Sequence, residues 1–108
     1  MNRDREHDRS LDDLLRRPHL LGIENVLYAC REVKFYRPHS KDIYCEPDLI
    51  FFNGRYFAVE YKATRAHRHE AIHQLHRAKE VIIKEWGAFP ELLFAYSIRK
   101  GRYGVEHI

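Results

Sequence analysis

The chain has 108 residues, 19 Lys and Arg against 16 Asp and Glu, and a formal charge of +3. This length suits one domain burying roughly 65% of its unfolded surface, without room for a second core. No apolar run approaches the roughly 18 residues of a membrane span, and the N-terminal MNRDREHDRS lacks the apolar stretch of a signal peptide, so a soluble, cytoplasmic protein without membrane contact is expected. Cys30 and Cys45 form no CxxC pair and read as reduced, partly buried side chains.

Residues 1–10 read as a charged, solvated arm and 11–108 as a single domain. Ser10-Leu11-Asp12-Asp13 offers a helix start, with a capping hydroxyl and acids at the positive end of the dipole, and Pro18 ends that helix. Ile23, Val26, Leu27 and Cys30 fall at offsets of three and four, predicting a second helix from about Ile23 to Arg31. Val33 to Tyr36 alternates as a first strand. Ile43 to Phe52 and Arg55 to Ala63 form a hairpin about Asn53-Gly54, two residues that tolerate positive φ. His67 to Trp86 is the longest helix, with Ile72, Leu75, Ala78, Ile82 and Trp86 along one side, stopped by Gly87 and Pro90. Leu92 to Ile98 is a near-continuous apolar strand that suits burial beside a parallel neighbour, and Arg102 to Ile108 adds an edge strand. The order is α, β, β, β, α, β.

The hairpin carries chemistry. Asp48 opens its first arm, while Glu60 and Lys62 lie two apart on the second, so the pleat sends both to one face. Carboxylate oxygens suit Mg²⁺ or Mn²⁺, and a nearby amine can orient water or stabilise charge on a phosphoryl oxygen. Parity constrains the turn. A two-residue loop at Asn53-Gly54 would pair Asp48 with Val59 and point Glu60 away from Asp48. A three-residue loop of Phe52, Asn53 and Gly54 would instead pair Asp48 with Ala58 and make Asp48 and Glu60 diagonal neighbours on one face. A shared metal site therefore requires an odd number of loop residues, or a bulge between the acids.

Pro47-Asp48 followed after a hairpin by Glu60-Tyr61-Lys62 resembles the motif of the PD-(D/E)xK nuclease superfamily, which includes restriction endonucleases, archaeal Holliday junction resolvases and recombination-type nucleases. The resemblance extends through the element order over most of the chain. It implies a restriction-endonuclease-like α/β fold, with an αβββαβ core and a mixed central sheet flanked by helices. It further implies a Mg²⁺-dependent deoxyribonuclease, endonuclease rather than exonuclease, in which Mn²⁺ substitutes. Asp48, Glu60 and the Tyr61 carbonyl would hold the ion, and Lys62 would position the attacking water. Glu24, with Glu46 as its rival, takes the place of a further acidic ligand that members carry on the first helix, and Gln74 that of a glutamine behind the catalytic strand.

Basic residues gather at Arg16-Arg17-Pro18-His19, at Arg65 to His69 and at Arg99-Lys100-Gly101-Arg102. Arg65, Arg68, Arg99, Lys100 and Arg102 are the candidate phosphate contacts to DNA. So small a domain has little surface with which to enclose a duplex, which makes a homodimer the expected form. A non-catalytic DNA- or partner-binding module of the same fold is the alternative. A third reading is a zinc peptidase through His69-Glu70-Ala71-Ile72-His73, an HExxH pattern. Its context is poor: the third and sixth positions after His73 are His76 and Lys79 where a metzincin needs Gly and His, and the histidines share a polar stripe with Glu80.

Overall fold

Two helices close on opposite faces of one twisted sheet in the computed structural model, which describes residues 2–108. In chain order these are helix α1 (Asn2–Arg16), a 3-10 turn (Pro18–Leu21), strands β1 (Tyr28–Arg31), β2 (Phe35–Tyr36), β3 (Ile43–Cys45), β4 (Leu49–Phe52) and β5 (Tyr56–Lys62), a second 3-10 turn (Arg65–His67), helix α2 (Arg68–Trp86), and strands β6 (Glu91–Arg99) and β7 (Arg102–His107). The main sheet has the order β1-β4-β5-β6-β7, while β2 and β3 pair separately. Only β5 and β6 run parallel, joined by α2 as a crossover helix. The other neighbours are antiparallel.

Strand alternation divides the apolar residues between the faces. Leu49, Phe51, Val59, Tyr61, Leu93 and Ala95 pack with Leu11 and Leu14 of α1 and with Leu21 and Ile23. Ile50, Ala58, Leu92 and Phe94 pack with Ala71, Leu75, Ala78 and Ile82 of α2. Helix α2 ends at Gly87, which takes the left-handed conformation and returns its amide to Ile83 O.

Five expectations change. Residues 2–10 belong to α1 rather than to a solvated arm; Arg31 of β1 holds Asp8 and Asp12, one turn apart, at 2.8 and 2.6 Å. The expected helix at Ile23 to Arg31 is a loop followed by β1. Gly22 is left-handed and Asn25 has φ +56°, both incompatible with a continuing helix, and the Leu27 amide bonds Phe52 O instead. Val33 to Tyr36 contributes only β2, and the arm from Ile43 to Phe52 breaks at Glu46-Pro47-Asp48 into β3 and β4. Both cysteines are free, with Cys30 exposed rather than partly buried. Among the described residues no helix is long and apolar enough to cross a membrane.

Leu14 is fully buried between α1 and the sheet. Leu14→Ala should lower the unfolding free energy by about 2–5 kcal/mol in urea titrations, and a loss below about 0.5 kcal/mol would show that α1 is not part of the core.

Candidate active site

Register brings the acids together. Phe52 pairs with Tyr56 and Leu49 with Val59, so the connection is the three-residue loop Asn53-Gly54-Arg55. Gly54 has φ +104°, which glycine adopts without strain, and Asn53 Oδ1 accepts from the Arg55 amide at 3.1 Å. The loop is odd, as a shared site requires, but it lies one residue later than expected. Extending the register one step sets Asp48 directly opposite Glu60 rather than diagonal to it.

Pro47 is buried and has no amide to offer, and β4 begins only at Leu49, so the strand ladder ends at Asp48. Side chains continue where the backbone stops. The Tyr61 amide donates to Asp48 Oδ2 at 2.8 Å, and the Asp48 amide donates to Glu60 Oε1 at 3.3 Å. The Asp48 carbonyl accepts from the Glu32 amide at 2.9 Å, tying the same residue to the end of β1. Within a strand the N–H and C=O of one residue point to the same side, so the Tyr61 carbonyl also faces the gap left by β4.

Glu60 is only 3% exposed and is the one buried charged residue among those described. Burial first, then the proximity of Asp48, pushes its carboxyl up to about 9, so it holds a proton at neutral pH unless a cation takes that place. Lys62 follows on the same face, its side chain largely buried, with Nζ 3.9 Å from Glu70 Oε2 at the start of α2. His7 of α1 reaches the site from the other face, with Nε2 3.7 Å from Asp48 Oδ2. Attraction to Asp48 raises the His7 pKa against the opposing effect of partial burial.

The remaining candidates sort by position. Glu24 is neither on a helix nor near the acids. It is exposed in the loop before β1, where its carbonyl accepts from Asn53 Nδ2 at 2.9 Å, at the far end of a hairpin arm about 16 Å long. Glu46 lies between β3 and β4, two residues before Asp48. Gln74 is exposed on α2, one turn beyond Glu70. Arg68 is engaged: its guanidinium grips Glu106 of β7 through both carboxylate oxygens, with Nε at 2.8 and 2.9 Å. Arg65, Arg99, Lys100 and Arg102 are exposed where β5 and β6 end and β7 begins, the same end of the sheet as Asp48 and Glu60. His69 and His73 are exposed, and the glutamate between them turns to Lys62 and to His67.

The sequence reading missed His7 and the Lys62–Glu70 pair. The charge on residues 2–10 concealed the first, and the HExxH pattern gave Glu70 a different part. Among the described residues no group of three or more His, Cys, Asp or Glu side chains stands ready to hold a metal ion. The donors that converge are two carboxylates and a main-chain carbonyl. That set fits Mg²⁺, which keeps several of its waters and commonly takes one or two carboxylates. No protein-family model, no curated protein and no solved structure matches the chain.

Protonation of Glu60 makes stability fall with rising pH. Between the ordinary carboxylate range and about 9 the folded chain retains a proton that the unfolded chain has released. His7 acts in the same direction, because its raised pKa stabilises the fold below about 6.5 and that contribution is lost as pH rises through the folded value. Glu60→Gln should therefore be more stable than the parent at about pH 8, by about 1 kcal/mol or more, and should lose less stability between about pH 5.5 and 8. Parallel pH slopes for parent and variant in urea titrations would contradict this.

Proposed function

We propose that the chain is a metal-dependent deoxyribonuclease of the PD-(D/E)xK type. The observation that carries this reading is the placement of the buried Glu60 opposite the partly buried Asp48 across the end of the β4–β5 hairpin, with Lys62 two residues further on. The order α1, then β1, β4 and β5 in antiparallel succession, then α2 and a parallel β6 supports a restriction-endonuclease-like core. The β2–β3 pair is an insertion between its first two strands.

Asp48, Glu60 and the Tyr61 carbonyl would hold Mg²⁺ or Mn²⁺, and binding would displace the proton that Glu60 otherwise keeps. The bound ion supplies Lewis acidity toward the scissile phosphate and the leaving oxygen. Lys62 donates to the attacking water and orients it for in-line displacement at phosphorus. Glu70 keeps the lysine side chain at the sheet end, through a contact loose enough to yield. His7 orients Asp48 from the α1 side. The P–O3′ bond breaks, leaving 5′-phosphate and 3′-hydroxyl ends. Arg65, Arg99 and Arg102 supply backbone contacts without base readout.

Labelled single-stranded, duplex, flap and four-way DNA, incubated with Mg²⁺, Mn²⁺ or chelator, tests the reading. Divalent-dependent cleavage is expected, and Lys62→Ala should lower turnover by about a hundredfold or more while retaining DNA binding. Equal activity of that variant would overturn the assignment. His69→Ala with His73→Ala, and separately Glu70→Ala, should leave cleavage within about tenfold, because the two histidines are exposed and the long ion pair of Lys62 to an exposed Glu70 contributes little. Loss of all hydrolysis on removing both histidines from a folded protein would favour the zinc reading instead.

A further inference from the structure

On the sheet face opposite Glu60 and Lys62, α1 and the β6–β7 turn enclose an open cleft of about 700 Å³. This lies within the range of small-ligand sites. Tyr61 joins the two places, because its amide holds Asp48 while its side chain forms part of the cleft wall.

The charges lining the cleft divide into engaged and free groups. Asp13 accepts from Arg17 Nε at 2.8 Å and from the Tyr103 hydroxyl at 2.7 Å, while Asp12 pairs with Arg31 at 2.6 Å. Asp13 thus has Arg17 to itself, whereas Asp12 shares Arg31 with Asp8 and Glu32. Arg9, Arg16 and Lys100 are exposed and make no ion pair or side-chain hydrogen bond among the described residues, and Glu6 is the one lining acid in the same condition. Arg9 and Arg16 stand two helical turns apart and project from one side of α1, with Lys100 facing them from the β6–β7 turn. Four cations against three acids leave a small positive surplus around a nucleotide-sized space, and three of those cations are without a partner among the described residues. Tyr103 contributes an aromatic wall, and Ser97 a hydroxyl.

We propose that this cleft binds the phosphate of a nucleotide, free or within a nucleic-acid strand, through Arg9, Arg16 and Lys100. Guanidinium groups suit the task because their planar donors match phosphate oxygens in pairs. The site goes beyond the carboxylate chemistry on the other face and does not require it.

Nuclear magnetic resonance of the ¹⁵N-labelled protein in chelator, titrated separately with dAMP and with a 5′-phosphorylated DNA hexamer, tests the proposal without any cleavage step. An absence of nuclease activity would leave its result intact. Amide shifts are expected at Ser97, Lys100, Gly101 and Tyr103, and Arg9→Ala with Lys100→Ala should weaken binding by about tenfold or more. Response to dAMP identifies a free nucleotide as sufficient, and response to the hexamer alone identifies a strand; either supports the site. Both substituted positions are exposed, so the thermal midpoint should not move, and the single variants Arg9→Gln and Lys100→Gln give the same reading if the double variant folds poorly. Unmoved cleft amides with both ligands, or parental affinity in a folded double variant, would overturn it.

Discussion

The register of the β4–β5 hairpin governs everything proposed for this molecule. Side chains in a strand alternate between faces, so a change of one residue in the loop would turn Glu60 and Lys62 away from Asp48 while leaving the sequence motif intact. Asn53-Gly54-Arg55 prevents this. Gly54 takes the positive φ, Asn53 bonds the Arg55 amide within the loop, and its amide group is tied to Glu24 O. The turn thus sets a geometry at the opposite end of the hairpin, where Pro47 stops the ladder and opens a gap for the two carboxylates.

That gap has an electrostatic cost. A carboxylate buried beside another carboxylate is unfavourable by several kcal/mol unless a cation or a proton intervenes. Glu60 resolves the conflict by keeping its proton, and the Asp48 and Tyr61 amides satisfy what remains. A purely structural hairpin would be better served by an apolar side chain at position 60, since its neighbours Ala58 and Val59 are fully buried. A buried carboxyl that keeps its proton beside a second carboxylate has a proton that a divalent ion could replace.

Much of this was legible before any coordinates. Local signals sufficed for β5, α2, β6 and β7, each placed within about two residues, because Asn53-Gly54, Gly87 and Pro90 punctuate the chain strongly and the apolar run from Leu92 announced a doubly buried strand. The parity argument anticipated an odd loop but not its position. The failures share a cause, which is that tertiary contacts decided between local options. Offsets of three and four from Ile23 to Cys30 fit a helix, yet pairing with β4 made the latter part a strand, with Leu27 and Cys30 left exposed. His7 lies in a charged stretch whose docking depends on Arg31, 24 positions later in the chain. Glu24 failed as a candidate because the helix assigned to it does not exist.

The central claim is that Asp48 and Glu60 form one divalent-cation site, and calorimetric titration with Mn²⁺ tests it most directly. The account predicts a single site in the parent protein, proton release on binding that is visible as a buffer-dependent heat, and loss of that site in both Asp48→Asn and Glu60→Gln. Undiminished Mn²⁺ binding in those two variants, or none in the folded parent, would contradict it.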